Sequence, residues 1–176
     1  DYEIIEKMNL PNDGYSILVT LKADGNVEKT VVGSVVESLA LDSDNAVSFA
    51  RLKEIFEADT LQMASFTITE KGYSLVNGKG DILPDVKADM EKGPEKPASY
   101  IGKVAALLYA RFLAGQKPIA MVSMDNCSHN GTKLYDAVST FAEQWVENKL
   151  VDTAFAAYTK NPKKGALPWS TINKNT

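Results

Sequence analysis

Apolar positions along this chain follow two different periods. From residue 15 to residue 39 they lie close together in extended runs. Tyr15-Ser16-Ile17-Leu18-Val19-Thr20-Leu21 reads as a strand, Asp24-Gly25 as a hairpin turn, and the valine-rich run Val27 to Leu39 as the returning strand. Together they predict an antiparallel arm, preceded by a helical turn over Asp1 to Met8.

After residue 40 the spacing becomes helical and alternates with short apolar runs. Phe49, Leu52, Ile55 and Phe56 mark one face of a helix over Asn45 to Ala58, with Asp42 or Ser43 able to cap it. Leu61 to Ile68 is the next strand candidate. Residues 74–97, rich in Gly, Pro and charge, predict an excursion with one helical turn near Val86. Ile101, Val104, Ala105, Leu108 and Phe112 define a long helix from Ser99 to Leu113, stopped by Gly115. The run Ile119-Ala120-Met121-Val122 is short enough for a buried strand. Leu134, Val138, Phe141 and Trp145 then mark a helix over Thr132 to Asn148, for which Asn130 is the expected cap. A short helix from Asp152 or Thr153 to Lys160 and an extended segment from Leu167 to Ile172 complete the pattern. Strands alternating with helices predict an α/β fold: a partial, parallel sheet flanked by helices, with the antiparallel hairpin arm attached.

Composition narrows the function classes. A chain of 176 residues with 44% hydrophobic and 24% charged residues suits one domain with a sizeable core. Its net charge of −4 and the lack of any basic run argue against a nucleic-acid partner. No apolar stretch is long enough to span a membrane. The single cysteine, Cys127, has no internal disulfide partner, which fits a cytoplasmic compartment. One histidine and one cysteine give no metal-ligand spacing, so no metal is expected.

The chemistry-bearing stretch is Lys117 to Gly131, KPIAMVSMDNCSHNG. It reads as a buried strand, a polar loop and the start of a helix. In open α/β sheets ligands sit just past the carboxyl ends of strands. That places Asp125, Asn126, His129 and Asn130 where chemistry would be done. Asn126 alone reads as a loop amide bonding its own backbone. Asp125 reads as a loop brace acting through backbone N–H groups, and Cys127 as buried filler. Thr67, Thr69 and Glu70, at the end of the preceding strand, suit either a cofactor cleft or a solvated sheet edge.

Three separated pieces carry a family resemblance. Phe66-Thr67-Ile68-Thr69-Glu70-Lys71-Gly72-Tyr73, then Ser123-Met124-Asp125-Asn126 with Asn130-Gly131, then Leu167-Pro168-Trp169-Ser170-Thr171-Ile172-Asn173 resemble, in order and spacing, segments of the mannitol dehydrogenase family. The hexuronate branch, the fructuronate reductases, is the most similar. The resemblance implies a Rossmann domain, NAD as cofactor, and hydride transfer between a 2-keto sugar acid (fructuronate) and its hydroxy acid (mannonate). Mannitol- or tagaturonate-type dehydrogenation is the alternative within the family, and a non-catalytic nucleotide-binding or interaction module the alternative outside it.

The same resemblance implies roles. Asn126 becomes one arm of an oxyanion site, catalytic and substrate-binding. Thr67, Thr69, Glu70 and Ile172 become cofactor-binding, and Asn173, standing where the family has an acid, becomes substrate-binding. His129 is discounted, because the family's catalytic histidine lies in a helical domain, with a lysine and an asparagine, on a K-x-x-x-x-N-x-x-H pattern that this sequence does not contain. A G-x-G-x-x-G loop for the cofactor pyrophosphate is also missing. The expectation is therefore that residues 1–176 are one central piece of a Rossmann domain. It should bind NAD poorly by itself and act with a helical catalytic domain of the same polypeptide.

Overall fold

The computed structural model describes residues 2–9 and 16–161. The chain divides into two compact units, Asp1–Leu41 and Asp42–Thr176.

The first unit holds helix α1 (Tyr2–Met8) and the hairpin of β1 (Ser16–Leu21) and β2 (Val27–Val32). The strands pair antiparallel, from Ser16 opposite Val32 to Leu21 opposite Val27. Gly25 closes the turn at φ 83°, a conformation that costs glycine nothing. The expected arm is present, but its return strand stops at Val32, and residues 33–41 adopt no regular structure. The amide of Asn9 ties this segment back, donating to Ser38 O at 2.7 Å and accepting from Ser38 N at 3.1 Å. Ile17, Val19, Leu21, Val27 and Val31 share one face of the hairpin, and all are exposed.

In the second unit the α/β alternation appears as expected. Its elements are α2 (Ala46–Glu57), β3 (Met63–Phe66), α3 (Thr69–Gly72), α4 (Pro84–Lys92), α5 (Tyr100–Leu113), β4 (Ala120–Ser123), α6 (Asn130–Glu147) and α7 (Thr153–Lys160). Strands β3 and β4 pair parallel, Met63 opposite Ala120 through Phe66 opposite Ser123. A parallel pair needs a long crossover, and here α3, α4 and α5 supply it. Helix α6 packs against α4, α5, α7 and β4, and α2 packs against α5. The core lies along these contacts. Leu108, Val138, Phe141, Trp145 and Phe155 are fully buried, each contributing roughly 1.5–3 kcal/mol by removal from water. Trp145 also donates its indole N–H to Asp89 O at 2.9 Å, which locks α6 onto α4.

Three local expectations are corrected. Helix α2 is capped by Asn45, whose side chain accepts from Ser48 N, and not by Asp42 or Ser43. Asp42 instead accepts from Asp44 N, and the Ser43 hydroxyl donates to Pro97 O at 2.5 Å. The excursion contains a nine-residue helix, α4, where a single turn was expected. Pro84 starts it at a position needing no N–H, and Val86 and Met90 bury one side. Helix α6 begins at Asn130, one residue after His129, so Asn130 is its first residue and not its cap.

Two buried polar groups organise this unit. Arg111 is 1% exposed, and its guanidinium donates to five backbone carbonyls. Its Nε donates to Lys117 O at 3.1 Å, Nη1 to Phe56 O at 2.6 Å and Ala58 O at 2.9 Å, and Nη2 to Leu61 O at 2.7 Å and Pro118 O at 2.8 Å. It thereby neutralises the carboxyl end of α2 and fixes the amino ends of both strands. The second group is Asp89, whose carboxylate accepts from Ala98 N, Ser99 N and the Ser99 hydroxyl at 2.6–2.9 Å. Ser99 in turn caps α5 by accepting from Gly102 N. No room for a side chain remains beside them: a Cβ on Gly102 would lie 2.6 Å from Asp89 Oδ2 and 2.7 Å from Ser99 Oγ.

Candidate active site at the carboxyl edge of the sheet

Because β3 and β4 run parallel, both chemistry-bearing loops leave the sheet from one edge. Residues 67–73 follow β3, and residues 124–129 follow β4. Met124 N donates to Phe66 O at 2.8 Å, the last rung before the loops separate.

The Asp125 side chain then joins the loops. One carboxylate oxygen accepts from Ile68 N at 2.8 Å and also from the Tyr73 hydroxyl, while the other accepts from Thr69 N at 3.0 Å. The Tyr73 hydroxyl also shares a 2.7 Å hydrogen bond with Ser123 Oγ. Asn130, 1% exposed, donates its amide to Asp125 O at 2.7 Å and Ser123 O at 3.3 Å. Asp125 is thus held by both its main chain and its side chain, as the loop-brace reading anticipates.

The electrostatics agree with that geometry. Burial pushes the Asp125 carboxyl up, but hydrogen bonds from Tyr73, Ile68 and Thr69 together outweigh it, so the group ends below its ordinary value. Burial, and then the hydrogen bond to Asp125, push the Tyr73 phenol well above its usual range, so it stays protonated and donates.

The residues singled out from the sequence sit around this network. Thr67, Thr69 and Glu70 are exposed at the end of β3, and Asn126 is exposed directly after Asp125. Thr69 has φ 63° and opens the single helical turn α3, a left-handed conformation that is uncommon for a β-branched residue. Glu70 pairs with Lys133 on the first turn of α6. Those two, with Tyr73, Ser74, Asp136 and Thr140, line an open groove of about 380 Å³. Asn126 is not among the residues lining that groove. His129 stands at φ 53° just before α6, with no side-chain bond to the helix end. Ile172 and Asn173, and the extended segment expected over Leu167 to Ile172, lie outside the described residues.

Tyr73 and Lys133 have no role that the sequence alone assigns. Tyr73 stands inside the first quoted motif, and its hydroxyl bonds to Asp125 and Ser123 show that it does more than pack. Among the described residues, no three His, Cys, Asp or Glu side chains come together as a metal site would need. No helix among them is long and apolar enough to cross a membrane.

The chain is similar to known enzymes over most of its length. The chain is 48% identical to D-mannonate oxidoreductase of Thermotoga maritima over 174 residues, 99% of this chain and 32% of that protein. It is 33% identical to mannitol 2-dehydrogenase of Cereibacter sphaeroides over 150 residues, 84% of this chain and 29% of that protein. The fold superposes on Pseudomonas fluorescens mannitol 2-dehydrogenase, solved as a ternary complex with NAD and D-mannitol, with a TM-score of 0.74 at 24% identity, covering 95% of this chain and 32% of that one. No family model matches the chain. The chain belongs to the mannitol dehydrogenase family, and it spans about a third of the length of the curated relatives it matches.

Proposed function

We propose that this chain is the central part of the Rossmann domain of an NAD-dependent oxidoreductase that interconverts fructuronate and mannonate. The observation that carries this reading is the 48% identity to a D-mannonate oxidoreductase across 99% of the chain. A cytoplasmic enzyme acting on a small sugar acid is the corresponding cellular reading.

The residues at the carboxyl edge suit the nicotinamide-ribose side of a dinucleotide. Thr67 and Thr69 offer exposed hydroxyls and Glu70 a carboxylate, a donor and acceptor set that matches ribose hydroxyls and a carboxamide. When bound there, NAD supplies the site that accepts or gives hydride. Oxidation of mannonate removes a hydride from the carbinol carbon and a proton from its hydroxyl; reduction of fructuronate returns both. As the oxygen gains negative charge, the Asn126 amide N–H donates to it. The proton goes to a lysine in a helical domain of the same polypeptide. Ile172 and Asn173 complete the cofactor and substrate contacts. Asn173 has no charge of its own, so a substrate carboxylate meets no repulsion from it.

The test is steady-state kinetics on the intact enzyme, with mannonate, mannitol and tagaturonate-type substrates compared. Asn126→Ala should lower kcat by about a hundred- to a thousand-fold, with the KM for NAD little changed. Asn126→Asp should be worse, since a carboxylate repels a developing alkoxide and cannot donate. His129→Ala should be nearly silent. Near-normal turnover of Asn126→Ala, or collapse of His129→Ala alone, would remove Asn126 from the chemistry.

A further inference from the structure

The two loops at the sheet edge are not independent. Asp125 belongs to the β4 loop, yet its carboxylate accepts from Ile68 N, Thr69 N and the Tyr73 hydroxyl, all of the β3 loop. Tyr73 returns the connection by reaching Ser123 Oγ, the last residue of β4. Asn130 fixes the same turn from behind through the carbonyls of Ser123 and Asp125. Ser123, Tyr73 and Asn130 are buried. The connection is therefore anchored on the core side and presents Asn126 and Thr69 on the exposed side.

Thr69 shows what the connection does mechanically. A left-handed backbone costs a residue with a Cβ roughly 1–2 kcal/mol, and the Thr69 N–H is the group that Asp125 Oδ1 grips. Without that grip, residues 68–70 are free to relax toward an ordinary conformation. Their side chains would then shift relative to Asn126.

We propose that Asp125 and Tyr73 are positioning residues that clamp the β3 loop to the β4 loop, so that the cofactor side and the oxygen-binding amide of Asn126 are held at one fixed separation. The proposal rests on the functional reading above and adds to it the pair that sets the hydride-transfer distance. Neither residue touches the reacting atoms. Asp125 acts through its neighbour Asn126 and through the Thr69 backbone. Tyr73 acts by closing the bond network from the buried side.

The proposal makes Asp125→Asn a sharp variant. Its size is nearly that of aspartate, but its NH2 would face a backbone N–H or the phenol where an oxygen is needed. In the intact enzyme, kcat should fall by about a hundredfold, as an ångström-scale misplacement does. KM for NAD and for the sugar acid should stay within about threefold in the same experiment. The primary isotope effect with NADH deuterated at nicotinamide C4 should increase, because the hydride step becomes limiting. Tyr73→Phe keeps the buried ring and decides the matter where Asp125→Asn fails to fold; a fall in kcat of about tenfold is expected.

Amide hydrogen exchange supplies a readout independent of turnover. In Tyr73→Phe, which changes only the β3 loop, exchange should also accelerate in residues 126–129 of the β4 loop. Acceleration confined to residues 67–73 would reduce the network to local bracing of α3 and overturn the proposal. Unchanged kcat in Tyr73→Phe, or a rise in KM alone, would overturn it too. Should the intact wild type turn over no polyol or sugar acid with NAD, the functional reading fails by itself, and the cross-loop exchange still decides whether the clamp exists.

Discussion

The same two strands are held at their amino ends by a buried cation and at their carboxyl ends by an anion. Arg111 gathers carbonyls from α2, from residues 58–61 and from residues 117–118, and it is sealed from water. Asp125 gathers N–H and O–H donors from one loop, and the residues beside it are exposed. In each case an ionised group satisfies several backbone dipoles at once, which is stronger than neutral bonding. The difference lies in what is left over. The bonds of Arg111 engage all three guanidinium nitrogens, so that end is closed. At the other end Asn126, Thr67 and Thr69 remain exposed. One edge of the sheet is built for rigidity, and the other is braced from beneath so that its surface stays available.

The largest effect that would break this contrast is at the closed end. Arg111→Met leaves several buried carbonyls without partners, each costing about 1–3 kcal/mol. Urea unfolding should show a loss beyond the roughly 0.5–3 kcal/mol usual for point substitutions. Arg111→Lys should recover little, because a point ammonium cannot reach carbonyls spread around a planar fork. A mild Arg111→Met would show that the amino end is not the rigid one.

A smaller effect is expected from acid at the open end. The Asp125 carboxyl is lower in the folded chain than its ordinary value of 3.8. Its contribution is therefore fully present above that pH and is lost as pH falls through the lower folded value. Thermal melts from pH 6 down to about pH 2 should show this loss, and Asp125→Asn should flatten it. Smaller again is Thr69→Gly. Glycine takes φ 63° without a Cβ penalty, so the variant should gain up to about 1 kcal/mol in stability. Substantial destabilisation would place the value of Thr69 in side-chain contacts. Smallest of all is Lys133→Met. Its partner Glu70 is exposed and the pair is screened by solvent, so Tm should not move measurably. A clear drop would make the open rim part of the stabilising frame.

The helices were legible where apolar spacing is set by burial on one face. Ile101, Val104, Ala105 and Leu108 in α5, and Leu134, Val138, Phe141 and Trp145 in α6, are all buried as their spacing requires. Helix α4 is hard to see in the sequence because Pro84, Asp85, Lys87, Asp89, Glu91 and Lys92 look like a solvated excursion, and only the packing of Val86 and Met90 marks it as a helix. The cap of α2 is ambiguous in the sequence because several candidates stand together: Asp42, Ser43 and Asn45 can each accept a backbone N–H, and only tertiary contacts such as Ser43 with Pro97 assign them. The loop-brace role of Asp125 was readable from a carboxylate directly after a buried strand. Its partners were not, since Ile68, Thr69 and Tyr73 lie more than fifty residues away. Arg111 gave no signal at all. A basic residue near the end of an amphipathic helix normally reaches water, and the carbonyls that hold it inside belong to segments brought together only by the finished fold.

Gly102 has a consequence for how such a chain can drift. A methyl group there would collide with oxygens of Asp89 and Ser99, and both oxygens are committed to starting α5. No one of the three can be exchanged for a larger residue while the other two stay as they are. A substitution at 102 becomes tolerable only after Asp89 or Ser99 has changed, and either change first removes the bonds that begin the helix. The three positions therefore form a locked combination: single steps away from it lead downhill in fitness, and a chain that reaches a different solution must cross that loss or change two residues together.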